Sequence, residues 1–175
     1  LGPSLVLLMV DYEKILNHGT LALMEQARQC QKALRFHDAE SIDKFRYYRA
    51  VIMAFEAINT LADRYSALAA DMAAKETDPV RRAELTTISQ TCAWIPRNRP
   101  RTFREAIQCF WFQFLMLSPS TTLPGGRFDQ YMYPFYKADL EAGRITREEA
   151  VELLCCMRLK DSHCGSPWHR MYLPA

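Results

Sequence analysis

Thiols are the most reactive side chains in this 175-residue sequence, and they stand at positions 30, 92, 109, 155, 156 and 164. A thiolate serves as nucleophile, metal ligand or redox partner only where its surroundings lower its pKa. No two of the six have CxxC spacing, and several fall on apolar faces of predicted helices. Reduced thiols in a cytoplasmic protein are therefore expected, not a disulfide framework. Cys155, Cys156, His163 and Cys164 are near enough in sequence to raise a metal site, but their spacing matches no familiar zinc pattern. His18, His37, His163 and His169 share no i, i+4 spacing or carboxylate partner pattern either, so no metal is expected. Arg127, Asp129 and Gln130 open a predicted helix, where the helix dipole favours a carboxylate. Arg127 and Asp129 are expected to clamp the loop before them and not to catalyse.

The elements that must hold these residues read as helices throughout. Asp11–Leu34 forms the first, with Asp11 as N-cap, an apolar stripe of Ile15, Leu16, Leu23, Ala27, Cys30 and Leu34, and Gly19 as a weak point in its middle. A long helix over about 41–75 follows. Its stripe is Phe45, Tyr48, Ile52, Phe55, Ile58, Leu61, Ala62, Tyr65, Leu68 and Met72, and the alanines at 67, 69, 70, 73 and 74 admit a close neighbour. Asp78–Pro79 restarts the chain as N-cap and first helical residue. Residues 94–101 read as an extended connector, because residues before proline favour β or polyproline geometry.

Thr102-Phe103-Arg104-Glu105 is a capping box that opens the most apolar helix, ending near Ser118–Pro119. Proline and the two glycines of Pro124-Gly125-Gly126 break the chain before an aromatic-rich helix over 127–141, in which Pro134 predicts a kink. Gly143 stops that helix, and Thr146 with Glu149 forms a second capping box for the last one. From Asp161 onward the helical pattern fails, giving a domain over 1–160 and an irregular tail over 161–175. No strand and no repeat is evident.

Composition narrows the function classes. A net charge of +2 supplies no field for nucleic acid or an anionic membrane. The apolar opening LGPSLVLLMV is too short to span a bilayer and lacks the basic start of a signal peptide. The chain is expected to begin inside a longer protein.

The string Arg127-Phe128-Asp129-Gln130-Tyr131-Met132-Tyr133-Pro134, continued by Lys137, Asp139 and Gly143-Arg144-Ile145-Thr146, resembles the glycyl radical enzymes of the pyruvate formate-lyase-like family, in their dehydratase and C–X lyase branch. Asp11-Tyr12-Glu13-Lys14-Ile15-Leu16, Leu61-Ala62-Asp63-Arg64-Tyr65 and Pro100-Arg101-Thr102-Phe103-Arg104-Glu105-Ala106 extend the resemblance over about residues 11–158. It implies a mainly α fold, the helical N-terminal portion of a ten-stranded α/β-barrel enzyme. It implies a homodimer, a small polar substrate, and a glycyl radical installed by an iron–sulfur, S-adenosylmethionine-dependent activase.

The family's Gly-Cys-Val-Glu string and C-terminal radical loop are not among these 175 residues. No residue of this chain is expected to be catalytic, and no cofactor is expected to be bound. The chain alone is expected to be inactive, and a truncated, non-catalytic helical interaction module is the alternative. Cys155–Cys156 resembles the adjacent cysteines of pyruvate formate-lyase, but the pair follows an amphipathic run, so a buried and a half-buried thiol are expected. In glycerol dehydratase-like members a His-Ser pair lines the pocket just before the RFDQ string. Counting back from Arg127, those positions fall on Thr121 and Thr122, which become the candidate substrate-binding residues and argue against glycerol.

Overall fold

The computed structural model describes residues 10–35, 39–117 and 125–163, with the side chains of 161–163 excepted. Among them are six helices and no strand: α1 (Tyr12–Lys32), α2 (Ala39–Lys75), α3 (Pro79–Trp94), α4 (Phe103–Leu117), α5 (Phe128–Glu141) and α6 (Arg147–His163). They divide into two compact units: Asn17–Pro100, and Leu1–Leu16 with Arg101–Ala175.

In the unit Asn17–Pro100, α2 packs along α3. The contact is made of small side chains. Ala62, Ala69 and Ala73 are buried on α2, Leu85 and Cys92 on α3. Ser66 and Ser89 bridge the pair reciprocally, each hydroxyl donating to the other's backbone carbonyl at 2.9 Å. This corrects the expected stripe. Tyr65, Leu68 and Met72 are exposed, because close approach through alanine and serine turns the larger residues outward.

Gly19 does more than weaken α1. At φ 74° and ψ 161° it breaks the helix in two. The freed N–H groups of Thr20 and Leu21 donate to the carbonyls of Pro96 and Arg97 at 2.9 and 3.1 Å. A Cβ on Gly19 would collide with the Arg97 backbone oxygen. Residues 95–98 are accordingly a tight turn, not the extended connector expected, with a cis Ile95–Pro96 peptide and both residues buried. The turn is tied down by the Arg97–Asp63 ion pair at 2.6 and 2.5 Å and by Trp94 Nε1 donating to Arg99 O. Thr20 donates to Asn59 at 2.8 Å inside the same core.

In the other unit, α4 packs against α5 and α6 and buries Phe103, Ala106, Ile107, Cys109, Phe110 and Phe112. Full burial of an Ile or Phe side chain contributes about 1.5–3 kcal/mol. Helix ends here are satisfied by carboxylates. Asp139, buried on α5, accepts from the Phe103 N–H at 2.7 Å and from the Arg144 guanidinium. Glu105 is buried and forks with Arg101, whose backbone N–H it also accepts at 2.7 Å. The expected Thr102 box is thus half formed: Thr102 Oγ1 accepts from the Glu105 N–H, but Glu105 has turned to Arg101. The Thr146–Glu149 box is complete, at 2.8 and 3.2 Å.

α5 ends at Gly143, φ 65°. Its N–H and that of Arg144 donate to Leu140 O and Asp139 O, the paired bonds of a Schellman stop. The helix continues through Pro134, and α6 extends to His163. Residues 164–175, the rest of the expected tail, lie outside the described residues.

Candidate functional site

The α4–α5 segment frames the candidate site. Thr121 and Thr122 lie outside the described residues. α4 ends at Leu117, and α5 is preceded by Gly125, Gly126 and Arg127. Tyr131 Oη donates to Gly125 O at 2.5 Å, which fixes the chain just ahead of α5. Arg127 forks onto Asp129 at 3.1 and 2.9 Å. The hydrogen bond from Arg127 holds the Asp129 carboxyl below its ordinary range, and the same bond raises Arg127. Both side chains are largely exposed, which gives neither group an enclosed pocket in which to do acid–base work, and residues 118–124 of the loop they were expected to clamp lie outside the described residues.

Behind Gly125 stands an aromatic cluster. The ring of Tyr12 lies 4.6 Å from Phe110 and 5.9 Å from Tyr131, and Phe128 lies 5.2 Å from Phe110 and 5.6 Å from Tyr131. Phe114 connects Phe110 to Trp111 at 6.1 and 5.7 Å. Tyr12 is almost fully buried, and its hydroxyl has no hydrogen-bond partner among the described residues. The same is true of Gln113 Oε1, although Gln113 Nε2 donates to Cys109 O at 3.3 Å. Burial pushes Tyr12 up to about 12 and raises Tyr131 as well, so both are neutral hydroxyls at physiological pH. Sequence reasoning singled out neither Tyr12 nor Gln113. Gln113 carried a signal, as the polar residue inside the apolar run Phe110-Trp111-Phe112-Gln113-Phe114.

Among the described residues the thiols do not assemble into a site. Burial pushes Cys92 up to about 11 and Cys109 up to about 12, so neither is a ready nucleophile. Cys155 and Cys156 lie on α6 as expected, but both are exposed, correcting the buried and half-buried expectation. Leu153, Leu154 and Met157 take the half-buried face, and the cysteine pair is left on the other. Exposed helical thiols lack the pocket closed to water and oxygen that radical chemistry needs. Among the described residues no three His, Cys, Asp or Glu side chains come together where a metal could bind.

One groove opens between α5 and α6, with a volume of about 380 Å³. Phe103, Phe128, Met132, Tyr133 and Tyr136 line one side, and Ala150, Val151 and Leu154 the other, with Asp129 and Arg147 at its rim. No helix among the described residues is long and apolar enough to cross a membrane.

Comparison with known proteins gives a consistent result. A family model described as pyruvate formate lyase-like matches residues 7–173. The isethionate sulfite-lyase of Oleidesulfovibrio alaskensis is 44% identical over 152 residues, which cover 84% of this chain and 18% of that protein. The (2S)-3-sulfopropanediol dehydratase of Klebsiella oxytoca is 35% identical over 150 residues, with the same coverage. The glycerol-bound, B12-independent glycerol dehydratase of Clostridium butyricum superposes with a TM-score of 0.82 at 32% identity, over 89% of this chain and 20% of that one. The chain thus spans about a fifth of the length of the relatives it matches.

Proposed function

The chain belongs to the pyruvate formate lyase-like family, and we propose that it is the helical N-terminal part of a glycyl radical lyase that cleaves the C–S bond of a small hydroxyalkyl sulfonate. The observation that carries this reading is the 44% identity to an isethionate sulfite-lyase, a protein whose name describes release of sulfite from isethionate. The relatives named as dehydratases match at 35% and 32%, and a structure described for 1,2-propanediol dehydration at 37%. The threonines at 121 and 122 agree with the reading: hydroxyls can donate to the oxygens of a small anion, and no histidine is present there for the proton chemistry of a glycerol site.

On this reading the division of labour is simple. The glycyl radical, made by an S-adenosylmethionine-dependent activase, supplies hydrogen-atom abstraction from outside this chain's 175 residues. The chain's own residues bind and orient. Thr121 and Thr122 offer hydroxyls to the substrate, Tyr131 and the Arg127–Asp129 pair hold the backbone after them, and the Tyr12–Phe110–Phe128–Tyr131 cluster keeps water from that wall. The 175 residues alone are inactive, and the working enzyme is a homodimer.

The test begins with the coding sequence around this chain. It should continue in frame into a Gly-Cys-x-Glu string and a terminal glycine loop. That full product, activated without oxygen, should show a glycyl radical signal by electron paramagnetic resonance and release sulfite from isethionate. The 175-residue chain treated the same way should do neither. Sulfite release lost on Thr121→Val or Thr122→Val, with the radical signal intact, assigns the substrate contact. A full product that dehydrates diols but leaves isethionate untouched overturns the C–S assignment. A stop codon directly after Ala175 leaves the non-catalytic helical module in its place.

A further inference from the structure

The unit Asn17–Pro100 is one excursion of the chain, with residues of the other unit before and after it. Its two ends are clasped to each other. Near the entry, the Gly19 break frees the N–H groups of Thr20 and Leu21; near the exit, the carbonyls of Pro96 and Arg97 accept them at 2.9 and 3.1 Å. The middle of α2 anchors both halves of the clasp. Buried Asn59 accepts from buried Thr20 at 2.8 Å, and Asp63 forks with Arg97. Each of these bonds begins and ends within residues 17–100.

The partners in the clasp are far apart in sequence, so it cannot form by itself. Bringing residues 95–98 back to Gly19 costs closure entropy, and it is the packing of α3 on α2 that returns the chain to that place. Clasp and α2–α3 pair therefore form and break together. The centre of the clasp also admits no side chain. Glycine adopts φ 74° freely, and the backbone of Arg97 and Asn98 fills the space that a Cβ would need.

We propose that residues 17–100 open and close as one cooperative unit, separately from the helices α4, α5 and α6, and that the Gly19–Arg97 clasp is the latch. Opening of this sub-global kind exposes part of a fold while the rest stays ordered. Tyr12, Arg127, Asp129 and Tyr131 lie outside residues 17–100, so none of them is among the residues that open. The proposal is independent of the C–S assignment.

Each unit carries its own reporter, because Cys92 on α3 and Cys109 on α4 are both buried. In the 175-residue chain, iodoacetamide reaches either thiol only when its surroundings open, whereas the exposed Cys155 and Cys156 set the unprotected rate. Mass spectrometry of the digested chain reads each site. Gly19→Ala should raise the Cys92 rate about a hundredfold or more and leave Cys109 within about twofold. Arg97→Gln should raise Cys92 alone, by about two- to fivefold, the scale of a partly exposed ion pair. Asp139→Ala should do the reverse and raise Cys109 alone. Amide hydrogen exchange at Ala62 and Ala69, buried on α2, should rise with Cys92. If circular dichroism shows that Gly19→Ala does not fold, Arg97→Gln decides the matter. Equal acceleration of Cys92 and Cys109 overturns the proposal, since the chain then opens as a whole. So does a faster Cys92 with unchanged exchange at Ala62 and Ala69, which assigns the labelling to fraying of α3, and so does a Cys92 rate that neither substitution in the clasp changes.

Discussion

The two units of this chain solve the same problem, holding helices together, with opposite materials. Between α2 and α3 the contact is alanine, serine and backbone: hydroxyls reach carbonyls across the interface, and the broken α1 feeds its free N–H groups to the 95–98 turn. Around α4, α5 and α6 the contact is aromatic, and buried or capping carboxylates finish the helix ends. The first arrangement depends on atoms that are absent, chiefly a Cβ at Gly19. The second depends on charges that are present. Each should therefore fail to a different kind of substitution.

The largest effect should come from adding one carbon to the first unit. Gly19→Ala forces an L side chain into positive φ and onto the Arg97 backbone, and should cost about 3–5 kcal/mol. For a chain of this size that corresponds to a fall in Tm of about 10 °C, read by circular dichroism. Next is Asp139→Ala, which orphans the buried Phe103 N–H and removes the ion pair to Arg144. A loss of about 2–4 kcal/mol is expected, with hydrogen exchange accelerating first in α4. An equal loss spread through α2 and α3 would mean the two units are not held separately.

How much of this was legible in the sequence follows from the distance between partners. Asp78–Pro79 and Thr146–Glu149 place their partners within four residues, and both caps are as the spacing says. Thr102–Glu105 was half legible: the Thr102 oxygen accepts as the spacing says, but spacing shows neither that Glu105 turns to Arg101 nor that Asp139, 36 residues beyond Phe103, takes the Phe103 N–H. Gly19 was visible as a weak helix residue but not as a break, since the backbone that requires it belongs to Arg97 and Asn98. The α2 stripe was legible in part: Ile58 and Ala62 are buried and the expected alanines at 69 and 73 meet a neighbour, but periodicity weighs large apolar residues and so also placed Tyr65, Leu68 and Met72 inside. The candidate threonines came from a counted resemblance alone, and the buried hydroxyl of Tyr12 gave no local sign at all.

That hydroxyl provides a smaller effect, of opposite sign. Tyr12→Phe removes a buried group with no partner and keeps the ring contacts, so stability should rise by about 1 kcal/mol by chemical denaturation. A fall instead would show that the hydroxyl has a partner, such as an internal water. The smallest effect separates the units by pH. Hydrogen bonding from the Thr146 N–H holds Glu149 below its ordinary carboxyl value of 4.5 in the folded chain. A depressed folded value means the contribution is complete above about 4.5 and is lost as pH falls through the lower folded value. Glu149→Gln should therefore show a flatter decline in stability from pH 6 to pH 3 than the parent chain, confined to probes in α6. Matching slopes for the two proteins would remove the carboxylate cap from the comparison.

The Asp139 cap also has a consequence for how the chain is made. Phe103 leaves the ribosome 36 residues ahead of the acceptor for its N–H. At roughly 5–20 residues per second, that is an interval of about 2–7 s. During it the most apolar helix of the nascent polypeptide has an unfinished first turn and a bare flank, and that interval is when a holdase would find it.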